Sequence, residues 1–154
     1  MNRYLCLITS TLMLFGSSGI CLGEIAWSKD YIETLKRSQE SGKPAFVYFS
    51  GSNWCGFCKR FDAQMEDSEA FQSYLKENFE LVNLDFPRPS PVDDPNFELN
   101  TWLKTQHTVS GFPTILVMDH RGVILARSGY KREGAEVFIK DLKNKINEAS
   151  DFEF

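Results

Sequence analysis

Apolar residues recur along this chain at spacings that change from one segment to the next. In "WSKDYIETLKRSQESGKP" (27–44) Tyr31 and Leu35 fall four apart on one helical face, with Ser28 as the expected cap and Ser41, Gly42 and Pro44 as the stop. "AFVYFS" (45–50) is an unbroken apolar and aromatic run, the pattern of an inner strand. Helical spacing returns in "CGFCKRFDAQM" (55–65) through Phe61 and Met65. It continues in "DSEAFQSYLKENF" (67–79) through Phe71, Leu75 and Phe79, with Asp67 or Ser68 as the cap. "ELVNLDF" (80–86) reads as a strand. "FPRPSPVDDPNF" (86–97) breaks the pattern with four prolines and reads as a loop. A short helix is expected in "FELNTWLKTQH" (97–107), then two strands, Ile115 to Met118 and Val123 to Ala126, joined by the turn "DHRG". A last helix, "EGAEVFIKDLKNKINEA" (133–149), sets Val137 or Phe138, Asp141 or Leu142, and Lys145 or Ile146 at helical spacing. This alternation predicts one compact α/β domain with a sheet covered on both faces.

The N-terminus adds a compartment. "MNRYLCLITSTLMLFG" has one early cation, Arg3, then an apolar stretch shorter than a membrane span, followed by small residues in "GSSGICLG". That layout predicts a secretory signal, residues 1–23, ahead of a domain at 24–154. Cleavage is placed after Gly23, with Gly19 as the second site; lipidation at Cys21 and a retained anchor are the alternatives. Cys6 and Cys21 leave with the signal, so of four cysteines only Cys55 and Cys58 remain in an exported chain.

Charge narrows the partners. The chain has 17 basic and 21 acidic residues; without Arg3 the balance is 16 against 21, a net charge of −5. No basic patch with interleaved aromatics appears, so nucleic-acid binding is not expected.

"SGSNWCGFCKRF" (50–61) then poses the chemical question, because two cysteines at a strand-to-helix junction suit reversible thiol redox, half of a metal site, or a static disulfide. A disulfide over so short a loop removes little entropy from the unfolded chain. A zinc site wants four ligands, and only His107 and His120 are left to join the pair. Thiol exchange needs a thiolate attacker and a second thiol within reach of the mixed disulfide. At a helix start the unpaired N–H groups favour an anion, which makes Cys55 the expected nucleophile and Cys58, one turn further in, the resolving thiol. Gly56 is expected to let the backbone turn tightly, and the Phe57 ring to sit at the partner-binding surface. Lys59 and Arg60 are read as solvated helix face or as support for the thiolate. Trp54 is read as shielding the thiol or contacting substrate, against ordinary core packing.

With "WCGFC" after the strand "FVYF" and "GFPT" at 111–114, the chain resembles the thioredoxin-like superfamily, in particular its exported bacterial members related to disulfide-bond proteins. The resemblance covers essentially the whole mature chain. It implies a central mixed β-sheet flanked by helices, a cis Pro113 facing the cysteine pair, and an extended partner segment bound beside Cys55 through Phe112 and the backbone around Pro113. Two departures stand out. Many thioredoxins have a buried acid near the end of the strand before the motif, where this chain has Tyr48 or Phe49, and the central dipeptide is Gly-Phe rather than Gly-Pro.

The expected function is that of a periplasmic thiol-disulfide oxidoreductase, monomeric, without cofactor, metal or stable membrane insertion. Its partners are cysteine-containing protein substrates and a redox partner protein. The reductase or isomerase direction is slightly favoured over a dedicated oxidant. The competing reading is a non-catalytic thioredoxin-fold module that binds a partner or transfers metal.

Overall fold

The computed structural model describes residues 25–91 and 94–151. The expected signal at 1–23 lies outside them. The elements in order are α1 (Tyr31–Ser41), β1 (Ala45–Ser50), α2 (Gly56–Glu66), α3 (Glu69–Asn78), β2 (Glu80–Asp85), α4 (Phe97–Gln106), β3 (Thr114–Met118), β4 (Ile124–Gly129) and α5 (Ala135–Asp151). The four strands form a mixed sheet in the order β2-β1-β3-β4. β1 runs parallel to β2 and antiparallel to β3, and β3 pairs antiparallel with β4.

β1 is central, which explains why all six of its residues are buried. Successive side chains of a strand point to opposite faces. Phe46 and Tyr48 enter a core with Phe61, Phe71, Leu75 and Phe138, contributed by α2, α3 and α5. Ala45, Val47 and Phe49 enter a second core with Tyr31 of α1 and Leu103 of α4. Helices therefore cover both faces. The first core is an aromatic stack, with Phe61–Phe138 and Phe71–Phe138 centroids both 5.1 Å apart. Full burial of each such ring stabilises the fold by roughly 1.5–3 kcal/mol.

The helix ends follow local chemistry. Asp30 caps α1, its Oδ1 accepting from the Glu33 N–H at 2.9 Å, and Gly42 closes the helix at φ 73°, its N–H donating to the Ser38 carbonyl at 3.0 Å. Ser28 is not the cap. Its backbone donates to the Leu81 carbonyl and accepts from the Asn83 N–H, so residue 28 is extended beside β2 and the helix starts later. Ser68 caps α3, accepting from the Phe71 N–H at 3.2 Å; Phe79 is buried just beyond the last turn.

The β3–β4 turn is held by Asp119, whose Oδ1 accepts from the N–H groups of Arg121 and Val123. Gly122 takes φ 83° there, a value open mainly to glycine. β4 begins one residue later than its apolar pattern suggests, because the Val123 carbonyl belongs to the turn. It also runs on through polar residues to Gly129, which pairs with Thr114. An edge strand needs no apolar alternation to keep pairing. Among the described residues no helix is long and apolar enough to cross a membrane.

Candidate active site

The site forms where β1 ends. Residues 51–54 turn the chain, with the Cys55 N–H donating to the Gly51 carbonyl at 2.8 Å, and α2 starts at Gly56. Cys55 is the N-cap of α2. Its Sγ accepts from the Cys58 N–H at 3.2 Å, and the two cysteines form a disulfide with Cα atoms 5.2 Å apart. Cys58 is fully buried against Phe61 and Tyr48, whereas Cys55 keeps 5% of its surface accessible. An attacking partner therefore meets Cys55 first.

Gly51 is the glycine the turn requires. A Cβ at this position would lie 2.7 Å from Cε2 of Trp54, whose indole packs against this backbone. Gly56 differs from expectation: it takes no positive φ and nothing lies within 4 Å of where its Cβ would be, so the fold does not demand a glycine there. Trp54 is 38% exposed rather than a core residue. Its Nε1–H donates to the Phe86 carbonyl at 2.7 Å, and its ring meets Phe112 edge-on at 5.7 Å.

The proline-rich segment is thereby tied to the motif. Asn53 donates through Nδ2 to the Arg88 carbonyl at 2.7 Å and accepts the Arg88 N–H on Oδ1 at 3.1 Å. Phe86 stacks on Phe112 at 5.2 Å, bringing the 111–114 loop to the same edge. Both Arg88–Pro89 and Phe112–Pro113 are cis peptides. Phe57 is not part of this cluster. It is half exposed on the other side of the motif and packs against Tyr130, beyond β4, at 5.7 Å. Lys59 donates to the Asn53 carbonyl at 3.4 Å, and the Arg60 guanidinium lies 5.4 Å from the centre of the Phe57 ring.

A carboxyl does lie on the helix that carries the pair, rather than on the strand before it. Asp62 follows Cys58 by four residues, one turn along α2, and its Oδ1 accepts the Tyr48 hydroxyl at 2.9 Å. Burial pushes the Asp62 carboxyl above the usual carboxylate range; the Tyr48 hydrogen bond opposes this, and Glu66 and Asp85 add to it. The Tyr48 hydroxyl is pushed far up, chiefly by burial and then by the Asp62 charge. Both residues line a cavity of about 310 Å³ with Trp27, Met65, Gln72 and Asn83. In sequence, the one sign of Asp62 is its place on the face that also carries Cys58, Phe61 and Met65. A lone helical aspartate otherwise reads as solvated.

His107 ends α4, where burial and then the Arg127 charge hold its pKa below the ordinary histidine range; His120 lies in the β3–β4 turn. Among the described residues no group of three or more His, Cys, Asp or Glu converges to hold a metal ion.

Comparison with known proteins follows the same lines. A model of the thioredoxin-like domain matches residues 31–144. Disulfide bond reductase DsbH of Chlamydia pneumoniae is 29% identical over 127 residues, which span 82% of this chain and 76% of that protein. Thioredoxin-related protein DsbJ of the same organism is 28% identical over 105 residues, 68% of this chain but 30% of its own length. Among solved structures, a DsbH oxidoreductase superposes with a TM-score of 0.77 at 28% identity, covering 90% of this chain and 95% of that one.

Proposed function

We propose, because this chain belongs to the thioredoxin-like domain family and is related to the bacterial Dsb oxidoreductases, that it exchanges disulfides with exported proteins through Cys55 and Cys58, in the reducing or isomerising direction. That the chain is an oxidoreductase of thiol-disulfide chemistry follows from the Cys55–Cys58 disulfide in this fold. The roles of the two thiols, the direction and the compartment are the further step.

The observation that carries the reading is the Cys58 N–H aimed at Cys55 Sγ at the head of α2. A hydrogen bond from an amide favours the charged form of a thiol, and the helix start adds its partial positive charge. In the reduced protein this makes Cys55 the thiolate. It attacks one sulfur of a substrate disulfide, forming a Cys55–substrate mixed disulfide and releasing the other substrate sulfur as a thiolate. Cys58 then gives up its proton and attacks Cys55 Sγ, closing the Cys55–Cys58 disulfide and freeing the second substrate thiol. Two electrons pass from the protein dithiol to the substrate, and a partner protein dithiol returns them by the reverse sequence.

Burial of Cys58 protects the waiting thiol, and Asp62, one turn further along α2, is the carboxyl we assign to take its proton. Trp54, Phe57, Phe112 and Pro113, with the backbone at Gly56, form the surface against which an extended substrate segment lies. The direction is supported by the similarity to a disulfide bond reductase; the amide that Phe57 offers where Gly-Pro motifs have none stabilises the thiolate and pulls the other way, toward an oxidising couple. Export rests on the signal-like order of residues 1–23.

Insulin reduction driven by a small thiol donor tests the reading. Turnover is expected, with loss of at least about a hundredfold in Cys55→Ser. Absence of turnover in every redox buffer would instead support a partner-binding module.

A further inference from the structure

Four cations stand against residues around the motif in a chain whose net charge is −4. The Arg88 guanidinium lies 3.9 Å from the centre of the Trp54 ring, and Arg60 lies 5.4 Å from that of Phe57. The Lys104 ammonium is 5.9 Å from Phe112 and 6.0 Å from Phe86, and Lys59 reaches the Asn53 carbonyl at 3.4 Å. The four come from three separate segments: α2, the loop after β2, and α4. Among the described residues none of them is in an ion pair. Some cations elsewhere are matched, as Lys131 and Lys145 are by Asp141.

The anions near the motif do not cancel this charge outwardly. Asp85 is turned into the 50–52 backbone, where its carboxylate accepts from the Ser52 N–H at 2.8 Å and from the hydroxyls of Ser52 and Ser50 at 2.6 and 3.2 Å. Asp62 is engaged with Tyr48 on the buried side. What faces a partner at Cys55 is thus aromatic surface edged with positive charge. A cation stacked on a ring keeps its other face open and is already ordered, which lowers the entropic cost of using it in a contact.

We propose that this rim docks an acidic partner: an extended protein segment whose reactive cysteine is flanked on both sides by Asp or Glu. The inference rests on the thiol-disulfide reading above and deepens it by naming the substrate class. The sheet order explains the two-sided requirement. Trp54 and Arg88 sit with Phe86, which follows the edge strand β2, whereas Phe57 and Arg60 sit with Tyr130, which follows the opposite edge strand β4. Cys55, at the head of α2, is joined in sequence to Trp54 on one side and, through Gly56, to Phe57 on the other. A segment crossing Cys55 meets a cation on each side, and opposite charge steers its approach and fixes its register.

The test uses three peptides that differ only in the residues flanking one intrachain disulfide: Glu, Gln or Lys on both sides. Their reduction by the chain, recharged by a thiol donor, is followed at low and at high salt. At low ionic strength kcat/KM for the Glu peptide is expected to exceed that for the Gln peptide by roughly tenfold, with the Lys peptide slowest. High salt should bring the three together. In the triple variant R60Q/R88Q/K104Q the Glu-to-Gln ratio should fall toward one at low salt. Equal rates for the Glu and Gln peptides in the wild type, or a ratio untouched by the triple variant, would overturn the acidic-partner inference alone. If none of the three peptides is reduced, the thiol-disulfide reading fails, and this inference with it.

Discussion

On one face of the sheet Phe46 and Tyr48 meet α2, α3 and α5 around Cys58, while on the other Ala45, Val47 and Phe49 meet α1 and α4. Both faces are well buried, yet they differ in what else they hold. The first contains the redox pair and the Tyr48–Asp62 hydrogen bond, a phenol and a carboxyl that burial perturbs. On the second, two buried hydroxyls are used locally and one reaches across the fold. Thr34 Oγ1 donates to the Asp30 carbonyl, Ser38 Oγ to the Lys43 carbonyl, and the Tyr31 hydroxyl lies 3.6 Å from the sulfur of Met118. The difference teaches that one central strand divides the labour: alternate residues of β1 support chemistry on one side and anchor the sheet on the other.

The division is sharpest if the anchor face can be weakened without touching the chemistry. Met118, fully buried at the end of β3 remote from Pro113, is the probe. Met118→Ala should lower stability to denaturant by about 2–5 kcal/mol, the usual cost of removing most of a buried side chain. The alkylation rate of Cys55 in the folded, reduced protein should stay within about twofold of wild type, since a remote cavity leaves the amide-to-sulfur geometry alone. A large rate change in the folded protein would show that the two faces are not separable.

A smaller effect is expected on the other face from Asp62→Asn. The Asp62 carboxyl is raised by burial, so the folded state favours its neutral form. Stability contributed this way is greatest below the unfolded pKa and is lost as pH rises through the higher folded one. Asn keeps an oxygen for the Tyr48 hydroxyl but does not titrate. The variant should therefore gain stability relative to wild type as pH rises across that window, measured by denaturant midpoints at several pH values. A difference that does not change with pH would remove the carboxyl from the account of this face.

Much of this arrangement is legible in the sequence. The buried run 45–50, the Phe61–Met65 and Phe71–Leu75 spacings and the two cysteines at a helix start are local patterns, and local patterns survive folding. What escaped was non-local. Ser28 looked like a cap because its neighbours cap helices well, but its backbone is extended by pairing with β2, a strand much later in the chain. The clamp of Asn53 on Arg88 joins side chain to backbone across a proline-rich loop, with no periodicity to announce it. Phe57 found Tyr130, and Asp62 found Tyr48, only once the sheet order was set.

The central claim is that Cys55, accessible and hydrogen-bonded at the head of α2, is the attacking thiolate and that buried Cys58 resolves. Timed alkylation of the reduced protein across pH, with peptide mapping to locate the label, tests it most directly. Cys55 should be labelled first, with a rate that titrates below the free-thiol value of about 8.5. Preferential labelling of Cys58, or a Cys55 that titrates at or above about 8.5, would contradict the assignment.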